Sequence, residues 1–294
     1  MKLAAIDIGS NAIRFQITNV IDYQGTHTFK KLEYVRFPLR LGKDVFESNC
    51  IGEENKAKFF KLMQAFKILI ELYEVDDYYA CATSAMRESE NGATIVKSVL
   101  DQFDLDINII DGDKEAELIN SVVMRKLNDQ NYLHIDVGGG STELNVIHDN
   151  KMLHSKSFKL GSVRKLSEEK NHAQREKMTN WINEHTKGHL AFTAVGTGGN
   201  INKAFDLSNQ NRSDRHIAIS DLKQVQSHLA TFTMDERIHQ LRLNEDRADV
   251  IIPALDIYLH AMKAANCSDI LVPDVGLKDG LMNMLYEKNL TQEA

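Results

Sequence analysis

The chain has 294 residues, enough for one large domain or for two of ordinary size, each with a substantial core. Its composition, 43% hydrophobic and 26% charged, is typical of water-soluble globular proteins. A formal net charge of −7 argues against nonspecific binding to nucleic acid or to an acidic membrane surface, and no apolar run approaches the ~20 residues of a membrane span. Three widely spaced cysteines indicate neither a disulfide framework nor a zinc site. Without a signal-peptide pattern, we expect a cytoplasmic protein.

The first part of the chain predicts three consecutive strands, at Lys2–Ile8, Ala12–Val20 and about Gly25–Arg36. Asp7 lies at the end of the first strand and is followed by the turn Gly9-Ser10-Asn11. Glycine permits positive φ and exposes backbone N–H groups, so such a turn is a candidate anion site. As an isolated motif, however, it is more often a plain glycine hairpin.

A loop is predicted from 40 to 52, and a helix follows, because apolar residues recur at helical spacing between Phe59 and Tyr73. The strand Tyr78–Ala82 then runs into a helix start that places Arg87 near the strand end, where ligands collect in α/β sheets. A solvated arginine is the commoner outcome at such a position. After a strand at Asp106–Ile110, a helix is predicted over Lys114–Lys126, with Glu115 in its first turn.

The design of the first hairpin occurs a second time at residues 135–144. Asp136 ends an apolar strand, a turn with Gly138, Gly139 and Gly140 follows, and the returning strand begins with Ser141-Thr142-Glu143. Two hairpins of one design on two halves of one chain indicate a duplicated domain with two phosphate-binding loops.

The remaining chain predicts strands at Tyr132–Val137, Thr142–His148, Ser155–Lys159, Leu190–Val195 and Ser268–Val272, and helices at about Val163–His185, Ile201–Phe205, Asp221–Arg242 (a pair) and Asp246–Ala265, with a last helix beginning at 275–280. A glycine-rich strand-to-helix turn, Gly196-Thr197-Gly198-Gly199, suits a phosphate or a nucleotide. It matches neither the dinucleotide-binding nor the P-loop pattern. Both halves therefore predict a mixed sheet flanked by helices, with a cleft between the copies.

These five motifs together resemble the exopolyphosphatase/guanosine pentaphosphate phosphatase (Ppx/GppA) family of the actin-like, sugar-kinase and Hsp70 superfamily. The resemblance rests on the segments 6–11, 82–88, 112–116, 135–143 and 196–199, which follow in order over nearly the whole chain. It implies an α/β protein of two ribonuclease-H-like domains, 1–124, joined by the C-terminal helix at about 280–294, and 125–279, with the active site in the cleft. The chain is similar to the short, two-domain members.

The resemblance also implies magnesium-assisted removal of a terminal phosphate, with other divalent cations left open. Glu115 aligns with the catalytic base of the family, and Asp7, Asp136 and Glu143 with acids that hold magnesium and position water. Lys114 replaces the first glutamate of the usual pair, and this cation favours the charged form of Glu115. The phosphate-binding positions that the resemblance assigns are Gly9, Ser10, Asn11, Arg87, Gly138, Gly139, Gly140, Ser141, Thr142, Gly196, Thr197, Gly198 and Gly199.

Three functions stay open at this point. The first is a hydrolase acting on the ends of inorganic polyphosphate. The second is a hydrolase of guanosine pentaphosphate or of short chains such as tripolyphosphate. The third is a regulatory module that binds guanosine tetra- or pentaphosphate with little turnover, an alternative kept alive by Lys114 and by Ala12, which stands where many members have serine. A sugar kinase is less consistent with the motifs, and a homodimer stays open.

Overall fold

The computed structural model describes residues 1–128, 130–187, 191–208 and 214–293. It divides into two compact units, Met1–Val122 with Leu277–Ala294, and Val123–Gly276. Within the described ranges, no helix combines the length and the apolar character that a membrane crossing requires. The cleft expected between two domains stays a prediction.

The first unit is built on a five-stranded mixed sheet of order β3-β2-β1-β4-β5. Its strands are β1 (Lys2–Ile8), β2 (Ile13–Tyr23), β3 (Thr26–Phe37), β4 (Asp77–Ala82) and β5 (Asn108–Ile109). Its helices are α1 (Leu41–Ser48), α2 (Glu53–Leu72), α3 (Ser84–Glu88), α4 (Gly92–Phe103), α5 (Gly112–Val123) and α12 (Leu277–Glu293). β1 runs antiparallel to β2 and parallel to β4, so the carboxyl ends of β1 and β4 lie at the same sheet edge.

The predicted apolar stripe of α2 is confirmed as part of the core. Phe59, Met63 and Phe66 are buried, and Phe66 stacks on Phe15 of β2 with ring centroids 4.5 Å apart. The predicted loop at 40–52 is wrong, because this segment contains α1, bracketed by two residues in the left-handed region, Arg40 (φ 57°) and Asn49 (φ 61°). An eight-residue helix contains too few apolar positions for its periodicity to show in the sequence.

The second unit contains a six-stranded mixed sheet of order β10-β11-β9-β6-β7-β8. Its strands are β6 (Asn131–Val137), β7 (Thr142–His148), β8 (Lys151–Phe158), β9 (Thr193–Thr197), β10 (His216–Ala218) and β11 (Asp269–Leu271). Its helices are α6 (Glu168–Thr186), α7 (Gly199–Leu207), α8 (Ile219–Ala230), α9 (Met234–His239), α10 (Glu245–Ala248) and α11 (Ile251–Ala264). The predicted strand start at Leu190 lies outside the described residues.

The long helix predicted over Asp246–Ala265, with a kink or local break tolerated at Pro253, is wrong, because the chain breaks earlier, between α10 and α11. Pro253 is the third residue of α11, within the first turn, where its missing N–H removes no intrahelical hydrogen bond. α11 packs its buried face, which includes Tyr258, against the sheet and against α6, α7 and α8. Two mixed sheets flanked by helices confirm the predicted α/β architecture.

Candidate active site

The turn between β1 and β2 is held from two sides by the first unit. The Gly9 N–H donates to the Ala12 carbonyl at 3.3 Å, which closes the turn. The Ser10 carbonyl accepts from the N–H of Gly42 at 2.7 Å, and the Ser10 hydroxyl lies 2.7 Å from that of Ser84 at the start of α3. Two buried hydroxyls therefore lie together at this turn, and Ser84 was not among the predicted ligands.

Asp7 is buried at the end of β1 and is paired with a cation. Arg14 is its direct neighbour on β2, and the Arg14 Nη1 donates to Asp7 Oδ2 at 2.8 Å. A buried carboxylate requires such a partner to offset its desolvation. The sequence analysis missed Arg14. In the hairpin, Ile8 pairs with Ile13, so the next pair down the two strands is Asp7 and Arg14. A direct metal contact at Asp7 would have to coexist with this ion pair.

Asp7 and Glu115 lie near the same buried thiol, that of Cys81. Cys81 is the neighbour of Asp7 in the parallel pairing of β1 and β4. Burial raises the pKa of Cys81 well above its ordinary value, and the negative charges of Asp7 and Glu115 raise it further. The structure thus brings two of the predicted acids to the surroundings of Cys81, which stays a neutral thiol.

Glu115 lies in the first turn of α5, whose start is fixed by side chains. The Asp111 carboxylate accepts from the N–H of Lys114 at 2.8 Å, as an N-terminal cap does. Glu115 is half-buried, and its Oε2 is enclosed by protein. The Lys114 ammonium lies 3.0 Å from the Glu117 carboxylate, so its direct ion pair is with Glu117. Whether Lys114 also affects Glu115 stays a prediction.

Arg87 lies beside the chain that enters α5. Its Nη1 donates to the carbonyl of Ile110 at 2.6 Å, directly ahead of the helix that carries Glu115. This bond holds the guanidinium at the carboxyl edge of the sheet, where the strand-end argument places it. The other N–H groups of a guanidinium remain suited to a phosphate.

The glycine turn between β6 and β7 is a candidate anion site of the second unit. The carbonyls of Gly138, Gly139 and Gly140 accept hydrogen bonds from residues 162–164, at 3.0 Å, 2.8 Å and 2.6 Å. Among the described residues, the N–H groups of Gly139, Gly140 and Ser141 donate to no main-chain carbonyl. Three consecutive N–H groups without a protein acceptor form a concave donor site for an anion.

The supporting segment approaches this turn so closely that it requires glycine. A Cβ at Gly161 would lie 2.4 Å from the Gly139 carbonyl oxygen, well inside contact distance. Next to it, the Thr142 hydroxyl donates to the Leu160 carbonyl at 2.6 Å. This hydroxyl is therefore engaged in holding the turn, in addition to the phosphate-binding role predicted for it.

Polar side chains form a row across neighbouring strands of the second sheet. Glu143 on β7, Asp136 on β6 and Thr197 on β9 are direct neighbours in the strand register. Glu143 is buried and accepts from the Ser157 hydroxyl of β8 at 2.9 Å. Because paired residues present side chains on the same face, the predicted acids Asp136 and Glu143 lie side by side beneath the glycine turn.

The turn after β9 completes this edge of the second sheet. Gly198 has φ +106° and ψ 160°, a conformation essentially restricted to glycine, and a Cβ there would lie 3.1 Å from Asp136 Oδ1. A Cβ at Gly199 would lie 2.6 Å from Nη2 of Arg247, so this guanidinium covers the start of α7. Arg247 was not predicted, since no motif connects a short helix of the second unit to this turn.

Tyr258 of α11 ties this turn to β6. Its hydroxyl donates to the Thr197 carbonyl and accepts from the Val137 N–H at 3.3 Å. Burial raises the pKa of the Tyr258 hydroxyl well above its ordinary value, and the charge of Asp136 adds to the effect. The hydroxyl therefore stays protonated and keeps its donor role.

Magnesium fits the pair Asp136 and Glu143 better than the full predicted set, which also includes Asp7. Among the described residues, no three His, Cys, Asp or Glu side chains converge as a metal cluster. Magnesium usually binds through one or two carboxylates and retains several waters. The adjacent Asp136 and Glu143 meet that requirement, whereas Asp7 is paired with the cation Arg14.

Comparison with known proteins gives a family match over most of the chain. Residues 20–289 match the model of the Ppx/GppA phosphatase family. A bifunctional 3-dehydroquinate synthase/phosphatase from Fusobacterium nucleatum is 28% identical over 97% of this chain and 46% of its own length. A guanosine-5'-triphosphate,3'-diphosphate pyrophosphatase from Aliivibrio fischeri is 23% identical over 95% of this chain and 58% of its own. The chain thus spans about half the length of these curated relatives.

The fold is also similar to that of a solved structure. The crystal structure of an exopolyphosphatase from Cytophaga hutchinsonii superposes with a TM-score of 0.82 at 22% identity, and the match covers 98% of both chains. At this identity the likeness establishes the fold alone. The predicted resemblance is therefore confirmed both by the family model and by the architecture.

Proposed function

We propose, from the premise that this chain belongs to the Ppx/GppA phosphatase family, that it is a phosphohydrolase releasing terminal orthophosphate from inorganic polyphosphate. The observation that carries the proposal is the turn in which Gly139, Gly140 and Ser141 present N–H groups with no main-chain acceptor in the described part of the chain. A terminal phosphoryl group spreads negative charge over three oxygens, so donors fixed in advance stabilise it without reorganisation.

Within the second unit, several donors suit a phosphoryl group. The glycine turn supplies N–H donors, the turn at Gly198 supplies the start of α7, and Arg247 adds a cation above it. Helix starts and guanidinium groups are ordinary phosphate ligands. The row that contains Asp136 and Glu143 lies beneath these donors, where carboxylates would orient a water molecule.

Within the first unit, Glu115 is the candidate base. Glu115 is half-buried at a helix start and lies, like Asp7, close enough to Cys81 to affect its pKa, while Arg87 is anchored at the entry to the same helix. Hydrolysis requires a group that accepts a proton from water as the oxygen attacks phosphorus, and a carboxylate in such a position performs this role. Arg14 engages one oxygen of Asp7, which makes Glu115 the better candidate for proton transfer.

A bound magnesium ion would neutralise charge on the phosphoryl oxygens and so make phosphorus more open to attack. Asp136 and Glu143 are the residues that fit it. Their adjacency on paired strands leaves space in the coordination sphere for waters and for substrate oxygens.

Replacement of Glu115 by glutamine tests the proposal, with Glu117→Gln as the matched control. Both acids lie on α5, but Glu117 is exposed and paired with Lys114. Loss of a general base reduces turnover by about 10²–10⁴-fold, so Glu115→Gln should lose most phosphate release while substrate binding is retained. Glu117→Gln should stay within about threefold of wild type. The measurement is magnesium-dependent phosphate release from long polyphosphate, tripolyphosphate and guanosine pentaphosphate.

The substrate profile separates the remaining functions. Faster release from long chains supports the proposal, whereas preference for tripolyphosphate or guanosine pentaphosphate would replace polyphosphate as the substrate and leave the hydrolase role intact. Binding of a guanosine polyphosphate without release from any substrate would replace the hydrolase with a sensing role. A Glu115→Gln enzyme as active as wild type would refute the base assignment.

A further inference from the structure

The edge strand β8 contributes one hydroxyl to the row of polar side chains in the second sheet, and no function has been assigned to it so far. Ser157 Oγ donates to Glu143 Oε1 at 2.9 Å. Glu143 on β7 lies directly opposite Ser157 on one neighbouring strand and opposite Asp136 on the other. The three side chains therefore lie on one face of the sheet, with Glu143 in the middle.

Contacts of the residues that follow Ser157 fix its place beside β7. The next residue, Phe158, is buried in the core of the second unit. Two residues further on, the Leu160 carbonyl accepts from the Thr142 hydroxyl at 2.6 Å. Both contacts hold this end of β8 in register with β7. The Ser157 hydroxyl is therefore presented to Glu143 by backbone that is itself anchored.

A hydrogen bond at one oxygen sets the orientation of the Glu143 carboxylate. The terminal torsion of a glutamate side chain is broad, so backbone position by itself does not choose the plane of the carboxylate. The bond from Ser157 to Oε1 selects one plane for a side chain that is only 3% exposed. Unlike Arg14 at Asp7, this donor carries no charge, so it orients the carboxylate without supplying a counter-charge.

We infer that Ser157 is a positioning residue, which holds the Glu143 carboxylate in the orientation in which it and Asp136 can share a divalent cation. The inference rests on the proposed function, since that function assigns the cation to these two acids. Loss of a residue that hydrogen-bonds a metal ligand commonly weakens metal binding by about 10–100-fold. Ser157 lies on an exposed strand, where water can partly replace its hydroxyl, so we expect about tenfold. Ser157 acts through Glu143 and is not itself a ligand.

Threonine and valine at position 157 form a matched pair of variants for the test. Both are β-branched residues that suit a strand, and they differ only in a hydroxyl against a methyl group. Ser157→Thr retains the donor to Glu143, whereas Ser157→Val removes it. Ser155→Val is the control for a change elsewhere on the strand, because Ser155 is also exposed on β8 but lies opposite Asn145 rather than an acid.

The first measurement is the affinity for Mn²⁺, followed by electron paramagnetic resonance with orthophosphate present, and it requires no turnover. Glu143→Gln identifies the binding that depends on Glu143. For that binding, Ser157→Val should weaken the affinity by about tenfold, while Ser157→Thr and Ser155→Val stay within about twofold of wild type. Equal affinity in Ser157→Val and wild type would overturn the inference, as would equal losses in Ser157→Val and Ser157→Thr. Wild type without Glu143-dependent Mn²⁺ binding would overturn it as well.

Phosphate release separates this inference from the proposed function. If wild type releases no phosphate from any substrate, the proposed function fails, and the Mn²⁺ affinities still decide the role of Ser157. If phosphate is released, Ser157→Val should need about tenfold more magnesium for its half-maximal rate, and saturating magnesium should restore most of kcat. A loss of kcat that magnesium does not restore would show a purely structural role and overturn the inference. Thermal unfolding checks each variant, and Ser157→Ala replaces Ser157→Val if the latter does not fold.

Discussion

Alanine at Gly198 should lower both the stability and the turnover of the protein. The residue has φ +106° and ψ 160°, and a residue with a Cβ held in this region is strained by ~1–3 kcal/mol. The new Cβ would also lie 3.1 Å from Asp136 Oδ1 and 3.5 Å from the Tyr258 hydroxyl oxygen. The tyrosine contact is of ordinary length, but the Asp136 carboxylate or the turn must move by a few tenths of an ångström.

The expected magnitudes follow from the size of the unit. For a unit of about 150 residues, each kcal/mol shifts Tm by ~2–4 °C, so Gly198→Ala should lower Tm by about 2–12 °C. Displacement of Asp136 relative to the glycine turn should lower kcat by at least tenfold, since small errors in position are costly in catalysis. Thermal unfolding and phosphate release under the same buffer conditions measure both quantities.

Two other glycines are controls that separate the two causes of the expected losses, which are backbone strain and the close contact with Asp136. Gly25 has φ +74° but nothing within 4 Å of an added Cβ, so Gly25→Ala should show backbone strain without a change in kcat. Gly276 has open space and no positive φ, so Gly276→Ala should stay within ~0.5 kcal/mol of wild type. A Gly198→Ala protein with unchanged Tm and kcat would refute the reasoning. A stability loss with unchanged kcat would show that Asp136 does not need its present position.

The remaining predictions concern an arginine of the site and a helix cap outside it. Arg87→Ala should raise KM and lower kcat, because the proposed phosphate ligand is lost together with its bond to the Ile110 carbonyl. Steady-state kinetics measure both constants, with Arg87→Lys as the control. If KM and kcat are unchanged in Arg87→Ala, Arg87 is not part of the site. Thr233→Ala should destabilise the protein by ~0.5–2 kcal/mol without affecting kcat, since Thr233 and Glu236 form a complete capping box on α9. Denaturant unfolding measures the change in stability, and an unchanged unfolding midpoint would refute the role of the cap.

Local patterns in the sequence were sufficient for most of the secondary structure. The strand Lys2–Ile8 and the strand Thr142–His148 were predicted with their observed bounds, because a carboxylate or a glycine turn marks each end. The apolar face of α2 followed from its periodicity. Short elements without periodicity were missed, as with α1 and β10, and a helix break at residues 249–250 was read as continuous. These elements form because tertiary contacts stabilise them rather than because local preference does.

The residues of the candidate site also divide into those that local sequence indicates and those that only tertiary contacts bring together. The sequence by itself determined the residues of the three turns and the acids at the strand ends, because strand, carboxylate and glycine are adjacent in the chain. Only the tertiary structure decided that Arg14 pairs with Asp7, that Arg247 covers Gly199 and that Ser157 donates to Glu143. Each of these contacts joins positions on different strands or helices, and its partner is chosen by strand register and helix packing. Hydrogen bonds and ion pairs depend on distances of about 3 Å, which local sequence does not encode across such separations.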